Sequence, residues 1–305
     1  MGSGPQLADD APVWPVPGAP PPRRGRYRRR RLVALFGVAL ATAVAATLIA
    51  LAVGRESGPP PPPPELRITF AEGLSLEEMA RQITTIDGIA RTTRKLDPIM
   101  TRQGYLAATR SWLTPAWFET PRRTRPLEGF LFPSTYSFLE ATPSRTLAAQ
   151  QLGAFRQVWE SLDLSYARSK KLTAYDILII ASMIEKEIAA PEERALAAAV
   201  IYNRLKARMT LGIDATLRYG LRIPATRSIT GADLRSDNPY NTRKLHGLPP
   251  TPIANPGAAA LLAATRPAQV AYLFYVRKPD GIHHFFTASY DAFKRYCVAH
   301  GYGPC

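Results

Sequence analysis

The sequence predicts an α+β fold standing outside a membrane and preceded by one transmembrane helix. Three observations carry this. The 22 residues from Leu32 to Val53 contain no charge. β-prone runs lie near both ends of the chain beyond Val53: Leu66, Ile68 and Phe70 alternating with polar residues, then Tyr272 to Val276 and His283 to Thr287. Between them are apolar stripes at helical spacing, the clearest being Ile177, Ala181, Ile184 and Ile188.

Residues 1–31 are rich in Pro, Gly and Arg without apolar periodicity and read as a disordered tail. Seven arginines lie between Arg23 and Arg31. Residues 32–53 are long enough to span a bilayer as one helix, at about 1.5 Å per residue against about 30 Å of hydrocarbon. The basic flank places the N-terminus in the cytoplasm and the chain from Arg55 onward outside. A cleaved signal peptide is the rival reading, but its apolar region is usually only about 7–15 residues. Residues 54–65 form a Pro-rich linker. Pro59 to Pro64 favours an extended polyproline conformation, spacing the outer part about 19 Å from the anchor at about 3.1 Å per residue.

The formal charge is +15. The tail holds seven Arg against Asp9 and Asp10, so +10 remains outside. Such a surface favours anionic lipid headgroups or wall polymers. The topology excludes nucleic acid, which the charge alone would favour. Cys297 and Cys305, the only cysteines, flank a short Gly- and Pro-containing segment. They form either a terminal disulfide loop in an oxidising compartment or two free thiols, and they lack zinc spacing.

Residues 66–125 read as a small subdomain. After the strand at Leu66–Phe70, Glu72-Gly73 makes a turn. Ser75 with Glu78 is a capping box, and Leu76, Met79, Ala80 and Ile83 give the stripe of a short helix. This strand and helix resemble the start of a LysM-like unit, a type associated with N-acetylglucosamine polymers. A plain packing subdomain is the alternative. Trp112 and Trp117 are either core residues or sugar-stacking platforms.

Residues 126–305 form the main domain. Leu127 to Tyr136 is compact and aromatic, with Glu128 as its one charge. That carboxylate is either a buried anchor or a site residue. Thr173 with Asp176 caps the helix that carries Ala181-Ser182-Met183-Ile184-Glu185-Lys186-Glu187. Glu185 falls about 60° from the centre of the apolar stripe, so it is expected half-buried with a raised pKa. Either it pairs structurally with a nearby cation, or it holds a proton for chemistry.

Pro191 with Glu192 and Glu193 opens a second helix. Its stripe is Leu196, Ala199, Val200 and Ala207, with Asn203 on the same face, binding a ligand or tying down a loop. Asp214 and Tyr219 follow. Asn238 to Thr242 and Gly247 to Gly257 form a Pro-stiffened loop of the kind that walls a cleft. A helix runs from Gly257 through Ala264, then two strands are joined by the turn Pro279-Asp280-Gly281. His283 and His284 face opposite ways in a strand and cannot share one metal.

Several of these segments, in this order, resemble the YceG-like family of endolytic murein transglycosylases. They are Leu127-Glu128-Gly129-Phe130-Leu131-Phe132-Pro133, Ala181 to Glu187, and Tyr202-Asn203-Arg204-Leu205. Asp214-Ala215-Thr216 with Tyr219-Gly220, Pro239-Tyr240-Asn241-Thr242, and Gly247-Leu248-Pro249-Pro250 through Asn255-Pro256-Gly257 complete the set. The chain departs from the family at Ser134, usually Asp, at Ala215, usually Pro, and at Thr251, commonly Gly.

The resemblance implies a lyase without metal or cofactor, in which Glu185 is the catalytic residue. Glu128, Asn203, Asp214, Tyr219, Tyr240 and Asn241 become candidate cleft residues. It implies peptidoglycan strands and peptidoglycan synthases as partners, and a single-pass location in the bacterial cell (inner) membrane with the active domain extracytoplasmic. Two other readings compete: a non-catalytic peptidoglycan-binding scaffold, and a hydrolase that pairs Glu185 with Glu128 or Asp214.

Overall fold

The computed structural model describes residues 24–53, 62–119 and 127–302. The first 23 residues, most of the linker and Cys305 lie outside the described residues. The chain divides into two compact units after Pro62.

The first unit holds helix α1 (Arg24–Val53), whose described apolar side chains, Phe36 and Leu40 among them, are exposed. Its start at Arg24 corrects the expectation of disorder through residue 31. Arginine is a good helix former, and an established helix propagates into such residues. Among the described residues no helix is long and apolar enough to cross a membrane.

The second unit, from Pro63, opens with β1 (Leu66–Thr69), whose side chains alternate buried and exposed. The Glu72-Gly73 turn, with Gly73 at φ 77, leads into α2 (Leu76–Thr93). The Ser75/Glu78 capping box is present in full. At 18 residues α2 is longer than the short helix expected. α3 (Arg102–Ser111) follows, capped by the Thr101 side chain. β2 (Thr135–Phe138) then returns antiparallel to β1, with Leu66 opposite Phe138. The strand–helix–helix–strand unit therefore closes beyond residue 125, where β2 pairs with β1. Phe70, Met79, Ile83, Tyr105 and Tyr136 fill the space between sheet and helices. Trp112 and Trp117 pack against the same core, under Arg145 and Arg156 respectively.

The rest is mainly helical. α4 (Ser144–Glu160) buries Leu147, Gln151, Phe155 and Trp159, a helical stripe. A one-turn α5 (Ser165–Ser169) precedes α6 (Ala174–Glu187). Pro191–Glu193 forms a 3-10 turn, not the first turn of a helix, and α7 (Arg194–Lys206) starts after it. Ala207, expected on the buried stripe, lies past the end of α7 and is exposed. α8 (Asp214–Leu221), α9 (Gly231–Arg235) and α10 (Ala258–Thr265) follow. The hairpin of β3 (Phe274–Arg277) and β4 (His284–Thr287) and then α11 (Tyr290–Ala299) end the fold. Cys297 is buried and disulfide-bonded.

α6 is the central element, packed by α7, α8 and α10. Every residue from Ile177 to Ile184 is buried. Each large aliphatic side chain among them contributes roughly 1.5–3 kcal/mol by leaving water. The expected one-sided stripe is thus part of a helix enclosed all round, which is why its last turn can carry a carboxyl group into a largely dry place.

Candidate active site

Glu185 sits in the last turn of α6, where the helix leaves the core, and its side chain is 6% exposed. The register that brings it there is set at both ends. The Thr173 side chain accepts the Asp176 N–H while the Asp176 carboxylate accepts the Thr173 N–H. Near the other end, buried Ser182 Oγ accepts the Ile253 N–H at 3.0 Å and ties the Pro-rich loop to α6.

Three other segments converge on this carboxyl. Gly257, the N-cap of α10, donates its N–H to Glu185 Oε2 at 3.0 Å, so the positive end of that helix faces the carboxylate. Gly73 passes so close that an added Cβ would touch Glu185 Cγ at 3.4 Å, and its carbonyl accepts Lys186 Nζ at 3.1 Å. Its neighbour Glu72 packs on Gly257, where an added Cβ would collide with the Glu72 carboxylate. Arg194, the first residue of α7, places Nη2 3.7 Å from Glu185 Oε1. The start of α7 is fixed by Glu193. Its buried carboxylate accepts the His284 N–H at 2.9 Å and meets His284 Nδ1 at 2.7 Å. Sequence reading took Glu193 for a first-turn acid; burial in the tertiary structure turns it into a clamp on β4.

Burial is the main force raising the Glu185 pKa, and the nearby Glu72 charge adds to it. The Gly257 N–H, Arg194 and Lys186 oppose it without cancelling it. The result is a carboxyl that keeps its proton to higher pH than an exposed glutamate, beside groups able to receive the anion.

A second carboxyl, Glu128, lies 3% exposed. It accepts the Leu76 N–H at 2.9 Å, Asn255 Nδ2 at 3.0 Å and the Tyr219 hydroxyl at 3.0 Å. Burial pushes its pKa up to about 8 against these donors. It anchors the N-terminus of α2 to the Pro-rich loop. Tyr219 packs at a tilt against Tyr240, whose hydroxyl bonds Thr251 at 2.7 Å. Glu128, Tyr219 and Tyr240 therefore form one connected cluster.

The other predicted residues go elsewhere. Asn203 donates to the carbonyls of Val270 and Tyr272, both at 2.9 Å, and so holds the segment before β3. Asn241, fully buried, donates to the carbonyls of Leu234 and Ser236 at the end of α9. Asp214, at the start of α8, pairs with Arg243 at the surface.

Glu72, Arg194 and Gly257 were not singled out from the sequence as site residues. Glu72 and Gly257 stood in recognised turn and loop segments, but nothing local marked their convergence. Asn255, fully buried, was missed as a hub. Its Oδ1 accepts the Gly129 and Leu131 N–H groups, and its Nδ2 donates to Leu74 O and Glu128. Glu187 also proves enclosed. Burial raises its pKa, and the Ala215 N–H and the Tyr275 hydroxyl are its partners.

The model of the YceG-like family matches residues 42–298. An endolytic murein transglycosylase of Bacillus subtilis (strain 168) is 36% identical over 156 residues, 51% of this chain and 43% of that protein. One of Streptococcus pneumoniae (strain ATCC BAA-255 / R6) is 30% identical over 229 residues, 68% of this chain and 40% of that protein. The chain thus spans about two fifths of the length of these curated relatives. A crystal structure of a yceG-like protein from Listeria monocytogenes superposes with a TM-score of 0.62 at 25% identity, covering 77% of this chain and 76% of that one.

Proposed function

The chain belongs to the YceG-like family, and from that premise we propose that it is an endolytic murein transglycosylase with Glu185 as general acid and then general base. The observation that carries this is the placement of Glu185. It is one largely buried carboxyl with a raised pKa, held by the Gly257 N–H beside Arg194.

The substrate is the glycosidic bond from C1 of N-acetylmuramic acid to an oxygen of N-acetylglucosamine. The Glu185 proton passes to that leaving oxygen as the C1–O bond breaks, which needs a carboxyl that is still protonated near neutral pH. The muramic acid 6-hydroxyl then attacks C1, which has oxocarbenium character, and its proton returns to Glu185. A 1,6-anhydro ring is left on one strand and a free hydroxyl on the other, with no water consumed. A hydrolase would require a second carboxylate to activate water or act as nucleophile. Glu128 is committed to three donors and Asp214 to Arg243, while Glu72, the carboxylate beside Glu185, faces the same Arg194, which favours Glu185 as the one acid–base group. Tyr219 and Tyr240 brace the cleft wall, and Asn203, Asn241 and Asp214 hold its loops.

Residues 32–53, uncharged throughout, form the membrane anchor in this reading. The N-terminus is cytoplasmic and the catalytic part of the chain acts on nascent strands outside, ending their elongation beside the synthases that make them. The LysM-like reading of the small module is supported by its strand–helix–helix–strand order and its place beside Glu185.

Mass spectrometry of strands incubated with the full chain tests the reaction. 1,6-anhydro-muramyl ends are expected. Ordinary reducing ends would replace the transglycosylase with a hydrolase, and uncut but bound strands would leave a scaffold. Glu128→Gln separates the first two further. It is expected to keep turnover within about tenfold of the parent while lowering stability, since Gln can still accept from Leu76 but leaves other groups poorly paired. Loss of turnover in a folded Glu128→Gln protein would restore the two-carboxylate reading.

A further inference from the structure

Arg194 is shared. Its Nη2 lies 3.7 Å from Glu185 Oε1 and 4.0 Å from Glu72 Oε2, both beyond hydrogen-bond length. Its side chain is only 13% exposed, and its buried Nε has no hydrogen-bond partner. A guanidinium so placed acts on both carboxylates as a charge without being locked to either. Glu72 is half-exposed at 49% and belongs to the turn after β1, far along the chain from α6. Lys186, the other nearby cation, is engaged by the Gly73 carbonyl. The charged and polar groups facing Glu185 are thus Glu72 from that turn, Lys186 on α6, Arg194 on α7 and the Gly257 N–H at α10.

We propose that Glu72 and Arg194 are opposed positioning residues for the proton on Glu185, Glu72 holding it there before bond cleavage and Arg194 stabilising the anion left afterwards. This inference rests on reading Glu185 as an acid that becomes a base. Such a group works best when its two forms are close in free energy, so that neither half-reaction is starved. Burial favours the neutral acid, the Gly257 N–H and Arg194 favour the anion, and Glu72 opposes them. The small module is then part of the active centre, because its turn supplies one of the two opposing charges.

The test compares the pH dependence of strand cleavage by the full chain with that of Glu72→Gln, Arg194→Gln, Arg194→Lys and the double variant Glu72→Gln/Arg194→Gln. The same proteins are titrated by carbon-13 NMR of labelled glutamate, with the Glu185 signal identified by its loss in Glu185→Gln. Removing the Glu72 charge should move the alkaline limb of kcat/KM and the Glu185 titration to lower pH. Removing the Arg194 charge should move both to higher pH. Arg194→Lys, which keeps the charge, should stay near the parent, and the double variant should fall between the single ones.

Shifts in the same direction, or rates that fall with unmoved limbs and titrations, would overturn the proposal, since a merely structural role changes amplitude and not midpoint. Should Arg194→Gln fail to fold, Glu72→Gln at its half-exposed site still decides. If the wild-type protein cuts no strands, the functional reading fails, while the NMR midpoints still report whether the two charges oppose each other at Glu185.

Discussion

Replacing Glu185 with Gln is expected to lower strand cleavage by about 10²–10⁴-fold, the range that positioned acid–base groups supply, with no loss of fold. The amide can still accept the Gly257 N–H through its oxygen, so the local hydrogen bond survives. It cannot give a proton to the leaving oxygen or take one from the 6-hydroxyl. The expected stability change has a definite sign. The raised pKa of Glu185 means that the folded state binds its proton more tightly than the unfolded chain does. Its contribution to stability is therefore full at pH below the ordinary glutamate value and falls as pH rises through the raised one. Gln removes that dependence. At pH 8 the variant should melt at or above the temperature of the parent, and near pH 4 this advantage should vanish. Cleavage rates and melting curves at both pH values check it. An active Glu185→Gln protein would remove Glu185 from the chemistry altogether.

Asn255→Ala is expected to be the most damaging single change outside Glu185. Asn255 is fully buried, and its four side-chain hydrogen bonds to nitrogen and oxygen groups are 2.9–3.0 Å. Alanine leaves the Gly129 and Leu131 N–H groups, the Leu74 carbonyl and one side of Glu128 without these partners. A buried unpaired group costs about 1–3 kcal/mol, and the losses here fall in one network, so they do not simply add. A destabilisation of about 3 kcal/mol or more is expected, a large share of the roughly 5–15 kcal/mol that holds a domain together. Urea unfolding measures it, and a change below about 1 kcal/mol would show that Asn255 is not the hub its geometry describes. Activity should fall as well, because Gly257, two residues on, loses its fixed approach to Glu185.

Glu128 and Asn255 show how the sequence was informative without being sufficient. The aromatic run around Glu128 marked a lone carboxylate that needed partners, and the structure makes it an anchor. Asn255 stood in a Pro-stiffened loop, but its partners lie more than 120 residues away along the chain. α4 was missed although Leu147, Phe155 and Trp159 have helical spacing, and β2 was missed as a strand because Thr135–Phe138 is only four residues of an irregular aromatic segment.

By itself the sequence determined the capped helix α6, the place of Glu185 beside its apolar stripe, the β1 turn with the capping box behind it, and the C-terminal hairpin. Each follows from residues near one another in the chain, through periodicity of 3.6 or 2 and through local cap and turn chemistry. Only the tertiary structure decided that Glu72, Arg194 and Gly257 meet at Glu185, that Glu193 clamps His284, and that Glu128 faces inward on donors. Those outcomes depend on how separate elements pack. Coulomb energy and desolvation act through space, so the charge balance at one carboxyl is fixed by residues that no local pattern connects.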